Sequence, residues 1–100
     1  MLIVLAQATL GDGALDKGRA AFTAMIEASR KEEGCIAYSY GVDVLDAAKL
    51  VIVEKWVDDA ALAYHFGTPH MAAFQNALAG LDITITELKK FQADGGSPLS

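Results

Sequence analysis

The run Glu54-Lys-Trp-Val-Asp-Asp-Ala-Ala-Leu-Ala-Tyr-His-Phe-Gly-Thr-Pro-His-Met-Ala-Ala-Phe74 holds the sole tryptophan, both histidines and two of the four phenylalanines of the chain. Together with the preceding Leu50-Val-Ile-Val53 it begins as a strand, because β-branched and aromatic side chains suit a pleated, half-buried surface. Strand side chains alternate, so Leu50, Ile52, Glu54 and Trp56 share one face and Val51, Val53, Lys55 and Val57 the other. A carboxylate thus lies beside an indole on an otherwise apolar face. Asp58 is placed to cap a new helix, with Asp59 at its positive end. Leu62, His65 and Phe66 follow at i, i+3 and i+4, which turns His65 inward against the sheet. Gly67 stops this helix, Thr68 caps the next, and Pro69 suits its first turn because the missing N–H has no partner there. The second helix reaches about Ala79, with His70, Phe74 and Leu78 on one face and Met71 at its edge.

Outward from this run, residues 1–9 form an apolar stretch of strand length, closed by the turn Gly11-Asp-Gly13. Residues 14–32 carry Leu15, Phe22, Met25, Ile26 and Ser29 at helical spacing, and their charged face reads as solvated. Gly34 follows as a helix terminator. From Cys35 to Val44 the chain alternates, with Ile36, Tyr38, Tyr40 and Val42 on one side and Cys35, Ala37, Ser39 and Gly41 on the other. Residues 45–49 are expected to link this strand to the Leu50 strand as a hairpin loop. A last strand begins at Leu81 and runs to about Phe91, its alternation slipping at Leu88 as a bulge would make it. Residues 93–100, with Gly95, Gly96 and Pro98, read as a mobile tail beyond a domain of residues 1–92. Strand, helix, strand, strand, helix pair, strand is the ferredoxin-like βαββαβ order: an α+β fold with a four-stranded antiparallel sheet covered by helices on one face.

Composition bounds the function. At 100 residues the chain is one domain, yet 53% of it is hydrophobic, and that excess on a sheet with one bare face points to a homodimer. The net charge of −5, with eight scattered Lys and Arg, argues against nucleic acid and anionic membranes as partners. The N-terminus lacks a basic leader and its apolar core is short, so a cytoplasmic protein is expected. Cys35 is the single cysteine, which excludes an intrachain disulfide.

Several chemistries fail on spacing. Gly11-Asp-Gly13 has Asp16 where a dinucleotide loop needs its third glycine, and Asp12 and Asp16 would repel a pyrophosphate. No serine sits in a glycine elbow, and Cys35 has no cationic neighbour to activate it. His65 and His70 are interrupted by Gly67 and Pro69, unlike the i, i+4 pair of a zinc helix, so no metal is expected. An inward histidine can accept a proton from a phenol or hydroquinone near neutral pH; it can equally be a buried histidine tied to a carbonyl or to Glu54. Trp56, Tyr38 and Tyr40 can face a planar ligand or simply pack. Glu54, on an apolar face, needs a partner, either in a site or in holding the fold.

Glu-x-Trp, an acidic helix start, and Tyr64-His-x-x-Thr-Pro-His-x-x-x-Phe74, with Glu33-Gly-Cys-Ile-Ala-Tyr38 upstream, resemble the antibiotic biosynthesis monooxygenase family, which includes small quinol monooxygenases. The resemblance covers roughly residues 1–92. It implies a dimeric α+β barrel and a cofactor-independent oxidation of a small aromatic by dioxygen, with His65 and Trp56 as catalytic residues and Tyr38, Glu54, His70 and Phe74 around the substrate. The family's haem degraders use an Asn on the first strand where this chain has Gln7, so haem breakdown is not expected. An isomerase, or a non-catalytic stress-responsive or ligand-binding barrel, is the alternative that the fold also allows.

Overall fold

The computed structural model describes residues 1–100. The element order is β1 (Leu2–Leu10), α1 (Ala14–Arg30), β2 (Cys35–Asp43), β3 (Asp46–Trp56), α2 (Asp59–Phe66), α3 (Pro69–Leu78) and β4 (Ile83–Gln92). The four strands form one antiparallel sheet in the order β2-β3-β1-β4. This is the ferredoxin-like α+β arrangement expected from the order of elements.

The helices cover one sheet face. Leu2, Val4, Ala6, Ala8 and Leu10 of β1 and Leu50, Ile52, Glu54 and Trp56 of β3 point into that layer and are buried. Register places Tyr38 opposite Glu54 and Tyr40 opposite Ile52, on the same face. On the bare face Ile3 pairs with Phe91 and Leu5 with Val53, and Leu5 and Phe91 remain 38% and 46% exposed. No helix is long and apolar enough to cross a membrane.

Four details depart from the linear reading. The β2–β3 register shifts between Cys35 and Ala37, so Ile36 is left unpaired and half exposed. That bulge swaps the faces: Cys35 pairs with Trp56 and packs on the core, where simple alternation had placed Ile36. The hairpin is also tighter, since β3 begins at Asp46 and only Val44 and Leu45 lie between the strands. In β4 the irregularity falls earlier than Leu88, because Gln7 pairs with Glu87 and Ala8 with Ile85, skipping Thr86. Met71, expected at the rim of α3, is the buried residue of that helix. After β4 the chain has no helix or strand, although Met1 and Ala93 exchange backbone hydrogen bonds of 2.9 Å.

The helix ends follow their capping residues. The Asp58 carboxylate accepts from the Ala61 N–H at 2.8 Å. Thr68 Oγ1 accepts from the Met71 N–H at 3.3 Å and donates to the His65 carbonyl at 2.8 Å, locking the α2–α3 corner. Gly13 precedes α1 with φ +73°, a conformation that disfavours any side chain.

Candidate active site

The α2–α3 corner and the end of α1 bring three polar side chains together. Glu32 lies in the turn just after α1, His65 in the last turn of α2, and His70 in the first turn of α3. Glu32 Oε2 is 2.6 Å from His65 Nδ1 and 2.8 Å from His70 Nε2. With the carboxylate ionised, both rings must present N–H to it, since a carboxylate only accepts. Glu32 is 5% exposed in its side chain and its other oxygen, Oε1, is buried without a partner.

His65 is 1% exposed and packs on Trp56, with ring centroids 4.5 Å apart, and on Tyr38 at 5.5 Å. Trp56 is fully buried and donates its indole N–H to Glu54 Oε1 at 2.9 Å. That bond exists because residues two apart on a strand face the same way. Burial pushes the Glu54 carboxyl above the usual carboxylate range and neighbouring Glu32 adds to this, while the Trp56 N–H and His65 oppose it. The Tyr38 and Tyr40 hydroxyls are hydrogen-bonded at 2.9 Å, and burial raises both, Tyr40 to about 12 and Tyr38 further.

A cavity of about 830 Å³ opens beside this cluster, between the end of α1 and the α2–α3 corner. Glu32, His70, Tyr64, Val57, Ala61 and Gly34 are among its walls. Of the six residues singled out from the sequence, His70 alone lines it, with a side chain 24% exposed. His65, Trp56, Tyr38 and Glu54 form one connected cluster behind that wall, so the indole and the imidazole meet, but as a packed pair rather than as the lining of the hollow. Phe74 faces the opposite way along α3, against Phe22 and Tyr40 at 6.2 and 6.3 Å.

Glu32 is the residue that linear reading missed. Helical spacing carries the first helix to about residue 32, but α1 ends at Arg30 and Glu32 lies two residues beyond it, where helical phase no longer says which way a side chain points. It is also adjacent to Glu33, which belongs to the upstream motif. The close approach of Gly34 to Ala61 of α2 draws this turn, and Glu32 with it, onto the two histidines.

Residues 1–77 match the family described as Antibiotic biosynthesis monooxygenase. An uncharacterised protein of Synechocystis sp. is 37% identical over 67 residues, which is 67% of this chain and 46% of that protein. The Escherichia coli K12 protein named "Probable quinol monooxygenase YgiN" is 33% identical over 67 residues, 59% of this chain and 64% of that one. The aligned part thus spans less than two thirds of either relative. A crystal structure of a Deinococcus radiodurans protein superposes with a TM-score of 0.89 at 21% identity, covering 100% of this chain and 99% of the other, a likeness of fold. The matched family model runs from β1 through nearly all of α3, across every residue of the histidine–glutamate cluster, and the chain belongs to the antibiotic biosynthesis monooxygenase family.

Proposed function

We propose that this chain oxidises a small electron-rich aromatic such as a quinol with dioxygen, as a homodimer and without flavin, haem or metal in that step. The observation that carries this reading is the His65–Glu32–His70 network at the wall of an 830 Å³ cavity. The quinol class is supported by the name of the Escherichia coli relative. The bare sheet face with Leu5, Val53 and Phe91 supports the dimer.

The chemistry asks little of the protein beyond a base and a sheltered pocket. Removing a proton from a hydroquinone leaves an anion that can pass one electron to dioxygen, giving a semiquinone and superoxide. Their recombination at a ring carbon forms a peroxide. Loss of water then leaves a hydroxyquinone, so one oxygen atom stays on the ring, the other leaves as water, and the ring, passing from quinol to hydroxyquinone, supplies all four electrons that reduce dioxygen. His70 reaches the cavity, and with its Nε2–H held by Glu32 its lone pair lies on Nδ1, ready to take the proton. Glu32 steadies the imidazolium that forms. His65 and Trp56 act as positioning residues: the indole backs the imidazole and the imidazole holds Glu32. Val57, Ala60 and Ala61 supply an apolar wall for an aromatic ring.

Oxygen consumption with a panel of hydroquinones tests this. His70→Ala and Glu32→Gln should each lower kcat by roughly 10²–10⁴, the usual worth of a general base, and His65→Ala and Trp56→Ala should lower it less. Unchanged oxidation by His70→Ala and Glu32→Gln, with the dimer intact by sedimentation, would refute the assignment. Binding of quinols with no oxygen uptake would favour a ligand-binding barrel instead.

A further inference from the structure

We infer that His65 Nδ1, His70 Nε2 and the Glu32 carboxylate form a binding site for a divalent transition-metal ion such as Zn²⁺, open on its fourth side to the cavity. The three donors come from three separate segments, and their ligand atoms lie within 4.8 Å of one another. An i, i+4 spacing is required only of two histidines on one continuous helix. Here Gly67, Thr68 and Pro69 break the helix, and the turn delivers both rings to one carboxylate.

The donor set suits the ion. Two imidazoles and one carboxylate with a free position are the ligands of open zinc sites, with bonds of about 2.0–2.2 Å. Tetrahedral donors at that reach stand about 3.4 Å apart, whereas Glu32 Oε2 now sits 2.6 and 2.8 Å from the two nitrogens, at hydrogen-bonding range. Admitting an ion requires the carboxylate oxygen to draw back by somewhat under an ångström, to about 3.4 Å from each nitrogen, and the two nitrogens to settle about 3.4 Å from each other. Glu32 has the means to bind once there. Its side chain is nineteen-twentieths buried beside the cavity, and Oε1 has no hydrogen-bond partner, so one oxygen carries both N–H donors while the other is left bare. A bare buried carboxylate oxygen is costly, and a cation bound through both oxygens would satisfy it.

The two imidazoles are held differently. His65 is wedged between Trp56 and Tyr38, which fixes its ring, while His70 is partly exposed and free to adjust. Of the other charged groups at the cavity, Glu33 favours a cation and Lys31 opposes it. Metal on His70 Nε2 leaves the ring proton on Nδ1, the atom that otherwise carries the lone pair. Metal occupancy and proton abstraction therefore exclude each other, and the bound ion would hold the oxygenase off. The metal site goes beyond the oxygenase reading and stands without it.

The test is equilibrium dialysis of the purified full chain against Zn²⁺, with Co²⁺ absorbance as the spectroscopic readout. Near-stoichiometric binding of one ion per chain is expected. His70→Ala and Glu32→Gln should each weaken it at least tenfold, and Cys35→Ser should leave both affinity and spectrum unchanged, without a thiolate-to-cobalt charge-transfer band. Circular dichroism checks that the variants fold, and Glu32→Gln, which keeps size and shape, carries the conclusion if His70→Ala does not. Absence of saturable binding, binding undiminished in the folded variants, or loss of binding in Cys35→Ser would overturn the inference. Because the readout is occupancy, a protein that binds Zn²⁺ yet stays inactive when assayed metal-free sinks the oxygenase reading alone, and an active one that binds none sinks the metal site alone.

Discussion

Gly34→Ala probes the contact that assembles the site. A methyl placed on Gly34 would overlap the Ala61 methyl and press on Val57 Cγ2 at 3.3 Å, with the Ala61 backbone just behind at 3.5 Å. Gly34 cannot retreat freely, since its carbonyl accepts from the Val57 N–H at 2.9 Å. The added methyl must therefore push α2 outward, and overpacking of this kind costs about 1–3 kcal/mol. For a domain of this size each kcal/mol shifts Tm by roughly 4–8 °C. The decisive comparison is a double-mutant cycle. Ala61→Gly removes the opposing methyl and costs up to about 1 kcal/mol of helix propensity by itself; in that background Gly34→Ala should cost close to nothing. Thermal unfolding followed by circular dichroism, at one fixed protein concentration because a dimer would make Tm concentration-dependent, measures all four corners. If Gly34→Ala costs as much in the Ala61→Gly background as it does with Ala61 in place, the close approach of the turn to α2 is not what sets this geometry, and the account of how Glu32 reaches the histidines fails with it.

Three further outcomes follow from other parts of the molecule. Glu54 has its carboxyl raised on folding, so the folded chain binds its proton more readily than the unfolded one. The associated stability is full below the unfolded pKa and is lost as pH rises through the folded one; Glu54→Gln, which keeps an oxygen for the Trp56 N–H, should flatten that decline and raise Tm at pH 7. Tyr40 is raised to about 12, so the stability tied to its neutral hydroxyl should be present below pH 10, its ordinary value, and fall away between there and pH 12. Tyr40→Phe should remove part of that alkaline loss in urea titrations at stepped pH, and an unchanged profile would contradict the buried placement of the hydroxyl. Thr68→Ala removes both bonds at the α2–α3 corner, and should cost about 1–2 kcal/mol in urea unfolding; Thr68→Ser, which keeps the hydroxyl, should recover most of it.

The fold was legible because its signals are local. Alternation in residues 50–56, the Asp58 and Thr68 caps and Pro69 specify a strand followed by two short helices, whatever lies around them. The placement of Glu54 beside Trp56 was equally local, because strand geometry alone puts residues two apart on one face. The inward turn of His65 likewise followed from helical spacing. Faces and registers that depend on an extra residue were not legible: the bulge at Ile36 exchanges the roles of Ile36 and Cys35, and no composition signal marks it.

The order of strands and helices, the buried carboxylate–indole pair and the inward imidazole were thus determined by the amino-acid sequence itself, through periods of 2 and 3.6 residues and the chemistry of helix ends. Tertiary structure alone decided that Glu32 meets both histidines from 33 and 38 residues away, and that His70 rather than Trp56 borders the cavity. The physical reason is that periodicity sets directions only within one element. Where separate elements converge is set by packing, here by a glycine that lets one turn lie against the side of a helix.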